Sequence, residues 1–338
     1  MPTVASSNLV TTLAPSPDAT QAFYMKDALV RAKYQEHYAR WADSAELKEK
    51  SGKIAIMRRW LHLAMALSPL AEGVPPTGKV PSPVDFQAAV QQFGDYIVLS
   101  DYADMTGIDD YVRHWNGLLG EQAGYTEDAI NRDVATAGTS VIYSNGAARN
   151  AVLSIVDEND LDRVIRTLSA AGAEKSLAGN SGSSTVGSTP IMPAYPAVTL
   201  PDVTFDLQNL QGFKWASDYR GSAEGEIGRY KQIAFFESPD PSSLGAGGKK
   251  FVNSGGASVL VQNTAGVADV FTIMVFGKHG FTRIPLSGNS MKMYHKGLGT
   301  SGALDPLDQI QTLGWKLSSA RLRTNESFLM RVECAASI

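Results

Sequence analysis

Residues 109–138 constrain this chain more than any other stretch. Asp109 and Asp110 place carboxylates where a helix start offers orphan N–H groups and a positive end. Val112, Trp115, Leu119, Ala123, Ile130 and Val134 then recur at three- and four-residue steps, with Thr126 in the remaining slot. The spacing predicts a single helix with one apolar stripe. Gly117, Gly120 and Gly124 count against it, at about 1 kcal/mol each relative to alanine. At about 1.5 Å per residue the helix is a rod of roughly 40 Å, far longer than the mean of about 11–12 residues. No heptads continue past it, so it does not read as a coiled coil. One such rod in a mixed chain is a beam, and other elements must lie along it.

The elements on either side are predicted as follows. Residues 1–17 are polar, with Pro2, Pro15 and Pro17, and read as extended. Asp18-Ala19-Thr20-Gln21 resembles a capping box. A helix follows to about Ala45, with Phe23, Val30, Tyr34, Tyr38 and Trp41 on one face. Residues 53–63 read as a strand. Val84, Phe86, Ala88 and Val90 alternate with polar or small residues in a second strand. The stretch between them, 68–83, is rich in glycine and proline. Phe93-Gly94 breaks the alternation as a bulge or a change of surroundings would, and Tyr96 to Leu99 is a strand. Residues 53–99 thus form a long hairpin. Two strands alone are marginal in water, so the hairpin needs a surface to lie on, its own or another copy's. Asp101 to Gly107 reads as a turn.

Beyond the beam, strands are expected at 140–143, 196–200 and 227–237, with two or three more in 261–286. Helices are expected at 160–171, ended by Gly172, and around Phe205 and Phe213. Residues 173–190 and 242–256 read as loops. Residues 315–322 and 328–334 read as a hairpin across Thr324-Asn325-Glu326-Ser327.

Reactive constellations do not emerge. The five histidines are scattered and form no HxxxH or HExxH pair, so a helical zinc site is absent. The single cysteine, Cys334, excludes an internal disulfide and cysteine-based zinc chelation. Residues 244–250 fail the phosphate-loop spacing, because Ser243 stands at the first glycine position and Lys250 at the Ser/Thr position. Glu121 and Asp128 read as a solvated or ion-paired face of the helix. Met291 and Met293 read as packing, and the five tryptophans as core or interface anchors. The expectation is no enzyme, no catalytic residue, no metal and no cofactor. The net charge of −4, with no basic patch, argues against a tightly held nucleic acid. There is no apolar run of membrane-span length and no signal peptide at the start, so the chain is expected to be made in a cytoplasm. Charged residues are only 19% of the chain, below the usual ~25%, and several elements reach outward. That profile is one of an assembly subunit.

Several short runs carry a resemblance, in order along the chain. They are Phe93-Gly94-Asp95-Tyr96-Ile97-Val98-Leu99-Ser100-Asp101, Gly107-Ile108-Asp109 and Leu119-Gly120-Glu121-Gln122-Ala123-Gly124. After them come Gly138-Thr139-Ser140-Val141-Ile142-Tyr143, Gly225-Glu226-Ile227-Gly228, Val275-Phe276-Gly277-Lys278, Asp305-Pro306-Leu307 and Gly314-Trp315-Lys316. Together they resemble the major capsid proteins of tailed bacteriophages, in the podophage-type branch, whose fold is similar to the Hong Kong ninety-seven coat protein.

The resemblance implies an α+β fold with an N-terminal arm (1–50) and an E-loop hairpin with its return strand (51–99). It implies a P-domain with the spine helix (100–147), an A-domain (148–282) and P-domain return strands (283–338). The Gly/Ser stretch 173–190 is longer than the family needs. The implied function is a coat protein that forms hexamers and pentamers of an icosahedral shell around double-stranded DNA, without sequence-specific binding. The implied partners are copies of the chain itself, a separate scaffolding protein, a portal and a decoration protein, with no membrane. The implied location is the virion capsid, assembled in the host bacterial cytoplasm. An encapsulin-like cellular compartment of the same fold and a soluble α+β hydrolase are the alternatives. Arg58 and Arg59 are adjacent in a strand and point to opposite faces, so one must face whatever the hairpin lies on. By the resemblance, the arm and hairpin meet a neighbouring subunit through Trp41, Met57, Arg58, Arg59, Trp60, Glu72, Lys79 and Phe86. The spine helix offers Trp115, Glu121, Glu127 and Asp128.

Overall fold

The computed structural model describes residues 28–32, 36–70, 72–73, 78–108, 110–179, 191–219, 221–239, 250–253, 260–264, 267–287, 291–300 and 305–338. The predicted extended stretch 1–17, the capping box at 18–21, Phe23 and Tyr34 lie outside these residues. So do Asp109, residues 180–190 of the Gly/Ser stretch, and residues 240–249. The strands among the described residues are β1 (Asp43–Ser44), β2 (Ile54–Trp60), β3 (Pro83–Ala89), β4 (Gln91–Ser100), β5 (Val141–Tyr143), β6 (Tyr195–Thr199), β7 (Phe213–Trp215), β8 (Glu226–Tyr230), β9 (Ile233–Glu237), β10 (Lys250–Val252), β11 (Asn263–Thr264), β12 (Val267–Phe276), β13 (Phe281–Pro285), β14 (Met291–Lys296), β15 (Ile310–Arg323) and β16 (Leu329–Cys334).

The long helix runs Tyr111–Thr136. Asp110 caps it, its Oδ1 accepting the Arg113 N–H at 3.1 Å. Its buried face follows the predicted stripe at Leu119 and Ala123 and departs from it elsewhere. Gly117, Gly120, Gly124, Glu127, Asp128 and Asn131 are buried, whereas Val112, Trp115, Ile130 and Val134 are only half-buried. Hydrophobic spacing missed this because the neighbours approach too closely for large side chains, or bring polar groups of their own.

The chain divides into two compact units. One comprises Met1–Tyr34, Gly94–Ala123 and Lys292–Lys316. In it, the helical residues 28–32 lie against the first half of the long helix, with Ala28 and Ala32 fully buried. A Cβ on Gly120 would stand 2.4 Å from the Ala28 carbonyl oxygen. Arg31 crosses Gly117 and pairs with Glu121 at 3.4 Å. Gln122 ties the helix to two strands: its Nε2 donates to Asp95 Oδ2 at 2.7 Å, and its Oε1 accepts the Trp315 Nε1–H at 3.0 Å. Residues 101–107, read as a turn, form a short helix, Asp101–Thr106, because the Ser100 hydroxyl accepts the Ala103 N–H at 3.2 Å as an N-cap. Of the two readings of Phe93-Gly94 the change of surroundings holds, since the chain passes from one unit to the other there, and Gly94 is not a bulge. It lies within β4, where a Cβ would stand 2.6 Å from the Trp315 carbonyl oxygen. The break falls at Val90, whose N–H turns to the Lys53 carbonyl at 2.8 Å.

The second unit comprises Gln35–Phe93, Gly124–Met291 and Leu317–Ile338. Its main sheet has the order β5-β16-β12-β6-β9-β8-β7, with β10 and β11 also on β12. Alternate residues of β12 serve opposite faces. Phe271, Ile273 and Val275 meet Leu161, Val164 and Leu168 of the helix Glu158–Ala170. Met274 and Phe276 meet Tyr38, Phe281 and Leu329. Cys334 is buried in the first of these clusters, and burial pushes its thiol pKa up. Glu333, fully buried on β16, is held by Arg149 through paired bonds of 2.6 and 2.7 Å and by Arg331 at 2.9 Å. A smaller sheet places β13 between β1 and β15.

Four further expectations are corrected here. Residues 36–45 are not helical; a 3-10 turn, Ala39–Trp41, leads to β1. The His37 and Tyr38 N–H groups donate to Asp128 Oδ1, at 2.8 and 2.7 Å, instead of to a helix ladder. Phe213–Trp215 is a strand rather than a helical piece. Residues 227–237 are two antiparallel strands, β8 and β9, turned at Lys231, which takes the left-handed φ of 48° without being a glycine. β15 and β16 do not pair; they belong to different sheets. The intervening Glu326 accepts the Thr139 and Ser140 N–H groups at 2.7 and 3.1 Å, which directs the turn elsewhere.

Candidate assembly interface

The hairpin of β2 and β3 is a two-stranded sheet of its own. Its register pairs Ile54 with Ala89, Ile56 with Gln87, Arg58 with Asp85 and Trp60 with Pro83. β2 is shorter than expected, ending at Trp60 rather than at Leu63. Period-two alternation gives the ribbon two unlike faces. The inner face carries Ala55, Met57, Phe86 and Ala88, which pack with Val90 against Ala45, Leu47, Ile284, Ala320 and Leu322. The hairpin therefore lies partly on its own subunit. The outer face carries Ile54, Ile56 and Trp60, which are 54%, 61% and 58% exposed. Toward the tip Leu63, Met65, Leu67, Leu70 and Val80 are exposed as well. A run of bare apolar side chains this long is what an unpartnered interface looks like.

The two arginines separate as their adjacency requires. Arg58 stands on the outer face in a two-pronged pair with Asp85, at 2.7 and 2.9 Å, and lies over the Trp60 ring. The bonds to Asp85 raise the Arg58 pKa and lower that of Asp85. Arg59 is half-buried on the inner face, over the Phe86 ring at 5.4 Å. Lys79 closes the tip on itself, its Nζ donating to the Ala64 and Met65 carbonyls at 2.6 and 3.2 Å. Glu72 is exposed in a turn. Because the Arg58–Asp85 pair is solvent-exposed, Arg58→Ala should move the melting temperature of the unassembled subunit by no more than about a degree. A calorimetric scan checks this.

The other expected contact residues are placed differently. Trp41 stacks on Phe236 at 4.6 Å between ring centroids and is half-buried within its own unit. Trp115 is half-buried beside Tyr111 at 5.5 Å. Glu121 is half-exposed and paired with Arg31. Glu127 and Asp128 are corrected: they are buried, at 0% and 2% exposure, and engage Arg283 and backbone N–H groups of the same chain. They cannot offer themselves to a neighbour's hairpin.

An open cleft of about 530 Å³ is lined by Asn145, Ser154, Ile155, Asp157, Asp160 and Arg163. The lining holds one serine, two carboxyls and no histidine. Among the described residues no group of three or more His, Cys, Asp or Glu side chains could hold a metal ion. Among the same residues no helix is long and apolar enough to cross a membrane.

The chain matches no sequence-family profile and no curated relative. It does match solved structures over most of its length. A chain of the capsid of cyanophage P-SCSP1u superposes with a TM-score of 0.56 at 15% identity, covering 88% of this chain and 87% of that one. A chain of the capsid of Ralstonia phage GP4 gives 0.60 at 9% identity, covering 90% and 92%. A chain of the acid-stable capsid of Helicobacter pylori bacteriophage KHP30 gives 0.60 at 10% identity, covering 88% and 89%. The chain has the α+β fold of phage capsid chains, of the Hong Kong ninety-seven type.

Proposed function

We propose that the chain is the major capsid (coat) protein of a tailed bacteriophage and that it assembles into hexamers and pentamers of an icosahedral shell around double-stranded DNA. The observation that carries this reading is the hairpin, a ribbon with a bare apolar outer face, on a fold that phage capsid chains share over 88% to 90% of this chain. In this reading residues 1–50 are the arm, 51–99 the E-loop and 100–147 the spine region of a P-domain. Residues 148–282 are the A-domain, and 283–338 return to the P-domain. The outer face of β2, with Ile54, Ile56, Arg58 and Trp60, meets a neighbouring copy, and the tip with Glu72 and Lys79 reaches furthest. The role is structural and not enzymatic. A net charge of −4 suits an inner wall that must not cling to packaged DNA. Scaffolding, portal and decoration proteins are the expected partners, in the host bacterial cytoplasm during assembly and in the virion afterwards.

Electron microscopy of the chain, purified after co-expression with its scaffold, tests the reading. Closed shells of uniform size are expected. A population of compact monomers alone would overturn it. Double-stranded DNA inside native particles is the further expected result, and a protein cargo in its place would assign the fold to a cellular compartment.

A further inference from the structure

Glu127 and Asp128 are adjacent buried carboxyls on the long helix, and both face residues 36–44. Asp128 Oδ1 holds the N–H groups of His37 and Tyr38 at 2.8 and 2.7 Å. Glu127 meets Arg283 of β13 at 2.5 Å and Arg321 of β15 at 3.6 Å. The second Arg283 nitrogen reaches Glu36 at 3.5 Å, so this segment and the helix share one guanidinium. Below this anchorage Tyr38 is fully buried, edge-on to Phe276, and Asp43 meets His279 at 2.7 Å.

We propose that residues 36–44 are a proton-sensitive strap, gripped by the long helix while its buried acid pair holds protons and loosened as that pair ionises. The charges around the pair are uneven. Glu36 on the strap, with Glu127 and Asp128 on the helix, makes three carboxyls, set against Arg283 and Arg321. Arg132 and Asp133, next along the helix, pair with each other at 3.2 Å, and both act on Tyr38. Full ionisation therefore leaves excess negative charge where little water reaches it.

Burial pushes the Asp128 carboxyl up to about 7, with Glu36 adding to it and the strap N–H bonds opposing. Burial also pushes Glu127 up, opposed first by Arg283. A carboxyl freed from the strap titrates near its ordinary value of about 4. The grip these groups supply is thus complete below about 4 and is lost as the pH climbs through about 7. His37 acts in the opposite sense. Burial, then Arg40, lower its pKa from 6.5, so its share is present above that value and lost on acidification. The acid pair sets the alkaline limit of the strap, and His37 the acid limit.

Hydrogen exchange of the full-length chain at pH 5 and pH 8, corrected for intrinsic rates, reads the strap directly. It does so whether or not the chain forms shells. For Asp128 alone the shift weakens docking on the order of a hundredfold between these values. With His37 opposing, residues 36–44 should lose at least about tenfold in protection relative to the helix Glu158–Ala170. Asp128→Asn keeps an oxygen for both N–H groups and cannot titrate, so its loss should be several times smaller. Glu127→Gln is the second variant, should the first not fold, with the same expected direction. Protection of the wild-type strap unchanged between the two pH values would overturn the proposal, as would an undiminished pH response in the variants.

Discussion

Gly120→Leu should melt a few degrees below the wild-type subunit, at about 1–2 °C per kcal/mol for a chain of 338 residues. Any Cβ at this position would stand 2.4 Å from the Ala28 oxygen and 2.8 Å from the Ala28 Cα. Those are backbone atoms of a buried helical residue and cannot swing aside as a side-chain end would. Over-packing of this kind costs about 1–3 kcal/mol. The glycine already costs about 1 kcal/mol in helix propensity relative to alanine, so the close crossing is what retains it. Gly117 supplies the contrast. Its nearest obstacle is the guanidinium end of Arg31 at 2.9 Å, a flexible group, so Gly117→Ala should change little. Melting curves of both variants, followed by circular dichroism, check the pair. Equal behaviour of the two would show that residues 28–32 yield to the intrusion.

The helix glycines mark the boundary between what was legible in the chain and what was not. The length of the beam followed from periodicity and from Asp110 at its start. Its buried face followed only at Leu119 and Ala123, because hydrophobic spacing registers large side chains and many of the contacts here are made by glycine, asparagine and acids. Gly117 and Gly120, read as weaknesses of the helix, were the signal. The hairpin was legible because alternation from Val84 to Ala88 is a local property, but which face looks outward was not: Met57 and Phe86, expected at a neighbouring subunit, pack on their own. Pairings distant in sequence were not legible: nothing in residues 315–334 reveals that β15 and β16 enter different sheets. The turn at Lys231 carries neither glycine nor asparagine, so two strands read as one. Asp128 was visible as an acid on a helix, but its role depends on N–H groups 91 and 90 residues away.

The largest effect on assembly is expected from the outer face of β2. Ile54→Glu with Ile56→Glu places charge at positions that are 54% and 61% exposed in the subunit. The opposing side chains, Ala89 and Gln87, make no core there. Strand propensities span only about 1 kcal/mol, so the melting of the unassembled subunit should fall by no more than a few degrees. Burying an isoleucine against a neighbour is worth about 1.5–3 kcal/mol, and a buried, unpaired carboxylate adds a further penalty. Since about 1.4 kcal/mol is tenfold in an equilibrium constant, loss of both contacts should cut shell yield by at least a hundredfold. Ala55→Glu is the control for direction. Ala55 is 3% exposed and faces Ile284 and Ala320, so that change should unfold the hairpin's seat before assembly is reached. Sedimentation of particles from free subunits, scored alongside subunit melting, separates the two outcomes. Normal shell yield from the double glutamate variant would move the assembly contact away from this face and toward the exposed apolar tip.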